Sequence, residues 1–187
     1  MQILAQAPVA APVIDYGAIA PVLIVLGAAC AGVLVEAFVP QHQRWSVQVT
    51  LTLLTLASAG MALGLHLAGD RTDVVTLAGT LSVDGPALFL WGTLLALGLG
   101  ALLLIADRSV DAGSAFVADA AVRPGTAQDR AQSLVGQRGG TDMMLATGMQ
   151  TEVFPLFLFS LGGMMVFAAA NDLLTMFIAL EVLSLPL

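Results

Sequence analysis

Lysine is absent from this chain, and its basic residues are arginines: six Lys plus Arg against 13 acids, for a formal charge of −7. Clustered cations carry nucleic acid binding, so the lack of any basic patch excludes that class of partner. Cysteine is limited to Cys30, inside an apolar run, where it cannot close an intrachain disulfide and reads as a small buried thiol. His66 has no second ligand at metal-binding spacing and reads as an interfacial or hydrogen-bonded residue. The first residues carry no positive charge and too short an apolar core for a signal peptide, so Ala5-x-Ala7 is an accidental match. Membrane insertion is expected to rely on the first span.

Charged residues make up only 10% of the chain and hydrophobic ones 58%. A soluble domain of this length cannot hide so much apolar surface, and the long apolar runs point to a polytopic membrane protein. The expected fold is an all-α membrane protein of five transmembrane helices with a small surface β-hairpin. Residues 1–16 read as an exposed N-terminal arm, and residues 17–106 as three spans near 17–39, 45–68 and 85–106. Gln41 to Trp45 reads as a polar turn, with Trp45 an interfacial anchor. Glu36, one turn from the end of its run, is a helix-end acid able to reach the interface, the alternative being a buried relay group. Val74–Leu77 and Thr80–Val83 are β-prone runs around Ala78-Gly79 and predict a hairpin at 74–83. Asp84 before Gly85-Pro86 is a helix start. Residues 107–149 mix Asp, Arg, Gly, Ser and Gln without apolar period and read as a long, partly disordered extramembrane loop. Spans four and five are expected at 151–170 and 171–187, with Asn171 as N-cap and Asp172 in the first turn. Arg44, Arg108, Arg123, Arg130 and Arg138 fall on one side and Arg71 on the other, which places the N-terminus outside.

The fifth run is apolar except for Asn171, Asp172, Thr175, Ser184 and one acid, Glu181. Glu181 lies ten residues beyond Asn171, which at ~1.5 Å per residue is about 15 Å. That is half of a ~30 Å hydrocarbon core, where an ionisable group is expensive and marks function by default. Counting back equally from the same turn reaches Ser160 to Gly163, a small-residue patch at the same depth. Ser184 is one turn on and able to bond the carboxyl group, and Pro186 leaves the carbonyl of Val182 without its helical donor. The competing reading is a neutral, hydrogen-bonded structural acid, since desolvation raises a carboxyl pKa. The fifth run stops without a polar flank, and a longer protein is expected.

Leu161-Gly162-Gly163, Ala170-Asn171 and Leu180-Glu181-Val182-Leu183-Ser184-Leu185-Pro186-Leu187 resemble subunit N of the proton-pumping NADH–quinone oxidoreductase, respiratory complex I. Val83-Asp84-Gly85 is similar as well, while the first two spans agree only in layout. That family is related to the subunits of multisubunit sodium/proton antiporters. The resemblance implies about fourteen spans with inverted five-helix repeats, of which this chain would be an incomplete antiporter-like bundle. It implies that Glu181 pairs with a lysine on a later helix and tunes its proton affinity. It implies no cofactor or metal in this chain, with NADH, flavin, iron–sulfur clusters and quinone in partner subunits. The implied partners are other membrane-arm subunits and the lipid bilayer, and the implied location is the cell inner (plasma) membrane. The alternatives are a sodium/proton antiporter subunit or a structural membrane scaffold with Glu181 merely buried.

Overall fold

The computed structural model describes residues 14–69, 73–106 and 151–184. Nearly all of the expected arm and the 107–149 loop lie outside the described residues, as do Arg71, the four loop arginines and Pro186. Among the described residues the chain forms five α-helices and one two-stranded sheet. In order these are α1 Tyr16–Phe38, α2 Gln41–Ala68, β1 Val74–Thr76, β2 Leu81–Val83, α3 Gly85–Ala106, α4 Val153–Ala169 and α5 Leu173–Ser184.

Three helices, α1, α2 and α3, are long and apolar enough to cross a membrane. At ~1.5 Å per residue, the 23 residues of α1 extend about 35 Å. α4 and α5 are apolar and shorter, with 17 and 12 described residues. The burial pattern fits a lipid solvent. Outward side chains are large and apolar, among them Phe89, Leu104, Leu173 and Leu174. Polar side chains sit inside instead: Gln48, Thr52 and Thr55 are buried. An apolar exterior of this extent is unsuited to water. Cys30 is exposed on α1 rather than buried, because the core-facing positions of that helix are Val22, Val25 and Ala29.

α4 is the hub, packing on α1, α3 and α5 and more lightly on α2. Its small residues permit this. A side chain at Gly162 would strike Leu26 of α1, and one at Gly163 would meet the backbone of α5. Gly32 of α1 lies against the ring of Pro155. Trp91 of α3 is fully buried and donates its indole N–H to the carbonyl of Met165 at 2.7 Å.

The turn between α1 and α2 is shorter than expected. Pro40 sits at the N-cap position of α2, so Gln41 to Arg44 form its first turn rather than a loop. Arg44 Nε donates to the carbonyl of Val39 at 2.6 Å, and its Nη1 lies 3.5 Å from Glu36 Oε2. Gln48 Nε2 donates to the carbonyl of Gly32 at 2.8 Å and to Glu36 Oε1 at 2.9 Å. Glu36 is therefore a helix-end acid held by an arginine and a buried amide. Gln48→Leu would remove the second donor to a buried helical carbonyl and half-orphan a carboxylate. We expect a loss of about 1–3 kcal/mol, read as a lowered unfolding midpoint of the full-length protein in detergent.

The sheet pairs Val74 with Val83, Val75 with Ser82 and Thr76 with Leu81, antiparallel. Its tip runs through positive φ at Leu77 (52°), Ala78 (56°) and Gly79 (91°). Val83, Thr76 and Leu81 are buried, so the hairpin rests on the bundle. Its outer edge continues into an antiparallel bridge between Leu81 and Ala170, which holds Ala170 extended and separates α4 from α5.

Candidate functional site

Asp172, not Asn171, caps α5. The amide of Thr175 donates to Asp172 Oδ1 at 2.8 Å and the Thr175 hydroxyl to Oδ2 at 2.7 Å. These bonds, the backbone one foremost, hold the Asp172 carboxyl below its ordinary value of 3.8. A lowered folded-state pKa gives a contribution present above 3.8 and lost as pH falls through the folded value. Protection of the Thr175 amide hydrogen, taken relative to its intrinsic exchange rate at each pH, should therefore fall in that acid range, and that fall should be absent in Asp172→Asn, which caps without titrating.

The rotation of α5 is set by α4. A Cβ on Gly163 would stand 2.6 Å from the nitrogen of Leu183, 2.9 Å from its Cα and 3.1 Å from the carbonyl oxygen of Ala179. Ser160 Oγ donates to the carbonyl of Leu183 at 3.2 Å. Ala179, 1% exposed, and Leu183 thus form the ridge against α4. Glu181 is two residues from each, about 200° round the helix. It is exposed on the opposite side of α5.

The small-residue patch and the acid share a depth but not a face. The patch locks α5 in rotation, and the carboxylate is turned away from α1 to α4. Among the described residues no hydrogen bond or ion pair reaches the Glu181 carboxylate. The expected bond from Ser184 is not made to it. Ser184 Oγ lies 3.4 Å from the backbone carbonyl of Glu181, the back-bonding a serine adopts within a helix.

Two residues position other groups in ways the sequence does not foretell. Gln48 was detectable as an amide four residues beyond Arg44 in an otherwise apolar stretch. Asn171 does not cap a helix. Its backbone N–H donates to the carbonyl of Thr80 at 2.9 Å and its Nδ2 to the carbonyl of Gly79 at 2.8 Å. No local signal foretells a partner 92 residues away. At the end of α2, the Nε2 of His66 is buried and has no hydrogen-bond partner among the described residues, so the hydrogen bond expected for it is not seen there.

No protein-family profile matches the chain. Individual relatives do. NADH-quinone oxidoreductase subunit N of Saccharopolyspora erythraea is 63% identical over 94% of this chain and 33% of its own length. The proteins of that name from Salinispora arenicola and Acidothermus cellulolyticus are each 54% identical, over 94% and 95% of this chain and 31% and 32% of their own. The chain spans about a third of the length of the curated relatives it matches.

Proposed function

This chain is homologous to NADH-quinone oxidoreductase subunit N, and we propose that it forms part of a proton-translocating subunit in the membrane arm of that enzyme. Electron transfer from NADH to quinone belongs, in this reading, to partner subunits that hold the flavin, the iron–sulfur clusters and the quinone. This chain contributes the membrane side of the coupling. Its work is electrostatic, and no bond is made or broken on its residues.

The observation that supports the reading is Glu181, an acid ten residues beyond Asn171 in an apolar run, exposed on the face of α5 turned away from the described bundle; the residue count sets it near mid-membrane in this reading. A carboxylate in such a position persists only with a cation or a wet cavity beside it. We assign the partner as a lysine on a helix beyond this chain. An opposite charge within ~4–6 Å lowers the glutamate pKa and raises that of the lysine, so movement of either group, or a passing proton, switches the lysine between holding and releasing its proton.

The proposed location is the cell plasma membrane, with the N-termini of α1, α3 and α5 and the hairpin on the outer side. The five-to-one arginine asymmetry between the two sides supports that orientation. Purification of the full-length protein from its native membrane tests the assignment of the enzyme. Co-isolation with flavin- and iron–sulfur-bearing subunits is the expected result. Isolation with antiporter subunits alone would overturn it.

A further inference from the structure

One hairpin gathers the N-termini of three helices. The amide of Asp15 donates to the buried Thr76 Oγ1 of β1 at 2.9 Å, while Asp15 Oδ1 caps α1 through Gly17 and Ala18. β2 leads directly into Asp84, whose Oδ1 caps α3 through Ala87 at 2.9 Å. At the hairpin tip the carbonyls of Gly79 and Thr80 accept the two N–H groups of Asn171, beside the bridge from Leu81 to Ala170.

The tip is held in an unfavourable backbone conformation. Leu77 and Ala78 carry side chains at φ 52° and 56°. Such residues persist where surrounding contacts over-determine them. At this tip the Thr80 amide and hydroxyl donate to the Leu77 carbonyl at 3.2 and 2.9 Å and Leu77 packs against the core, while Asn171 supplies the two bonds that tie the tip to the start of α5.

We propose that Asn171 is a positioning residue: by latching the start of α5 to the hairpin tip, it sets the depth at which α5 presents Glu181. Two devices then act on α5, the α4 contact along its length and the latch at its start. Gly163 and Ser160 set which way the carboxylate faces, and the latch sets its level about 15 Å further along the helix. The inference rests on the proposed role of Glu181, and its test is built to separate the two.

The test uses the full-length subunit in its assembled complex, on a Cys30→Ala background. A nitroxide placed at Ile178→Cys, exposed on the same side of α5 as Glu181, reports membrane depth through collisions with oxygen and with a water-soluble nickel reagent. Asn171→Ala removes one latch bond. Asn171→Pro removes both, and the extended Ala170 before it suits a proline. Each lost bond is expected to weaken the docked arrangement by up to about tenfold.

We expect a graded displacement of the label, small for Ala and larger for Pro. Pumping per assembled complex should fall in the same order, and Asn171→Ala should add nothing to the loss caused by Glu181→Gln. An undisplaced label in the Pro variant would overturn the latch. So would loss of assembly in both variants, which makes the contact architectural. A displaced label with normal pumping overturns the positioning role where Glu181→Gln impairs pumping. Where Glu181→Gln also pumps normally, the latch stands and the proton reading of Glu181 fails.

Discussion

Gly163→Ala is expected to destabilise the bundle by about 3 kcal/mol, the upper part of the range for overpacking a close-packed interior. The added carbon would stand 2.6 Å from the nitrogen and 2.9 Å from the Cα of Leu183, so what must give way is the backbone of α5. A helix cannot flex locally as a leucine tip can. α5 must translate or roll, which breaks the bond from Ser160 Oγ to the Leu183 carbonyl. Gly162→Ala is expected to be milder, because its new carbon meets the Leu26 side chain, which can change rotamer. Gly100→Ala supplies the control: nothing lies within 4 Å of its added carbon, and it should be neutral or stabilising by up to about 1 kcal/mol through helix propensity. Thermal unfolding of the full-length protein in detergent, with the yield of assembled complex, orders the three. Equal effects at positions 162 and 163 would show that α5 does not rest on Gly163.

What could be read from the sequence follows from the solvent. In lipid every backbone group must be satisfied within a helix, so apolar runs and their breakers fix the helices with little ambiguity. The hairpin was legible for a similar reason, as β-prone residues flank a glycine whose φ is in fact +91°. Helix ends were less legible. Gln41 to Arg44 are polar enough for a loop, yet Pro40 starts a helix there and Arg44 turns back onto Val39. Asn171 has the chemistry of a cap, but a carbonyl from a distant hairpin competes for its amide and leaves the cap to Asp172.

The site was legible in depth and illegible in direction. Counting residues from a turn places Glu181 and Gly163 at one level, because rise per residue is constant. It does not say which helix face meets α4. That is decided by where the smallest residues, Gly163 and Ala179, allow backbones to approach, and the answer turns Glu181 the other way. The family resembled is that of relatives 54–63% identical over about 94% of the chain.

Glu181→Gln in the full-length subunit is expected to leave the complex assembled and to impair NADH oxidation coupled to proton pumping. Glutamine keeps the size of the side chain and most of its hydrogen bonding, so the packing of α5 on Gly163 and Ser160 has no reason to change. The charge is lost. A lysine held charged by that carboxylate then falls in proton affinity, by about 1.4 kcal/mol for each pKa unit withdrawn. A two-unit withdrawal corresponds to about a hundredfold change in its protonation equilibrium. Glu181→Asp keeps the charge one methylene shorter and is expected to be milder. Protons moved per NADH oxidised in sealed vesicles, normalised to assembled complex, test the account most directly. It expects a clear fall for Glu181→Gln with Glu181→Asp between it and the wild type. Normal pumping by an assembled Gln variant would contradict it and leave Glu181 a structural acid.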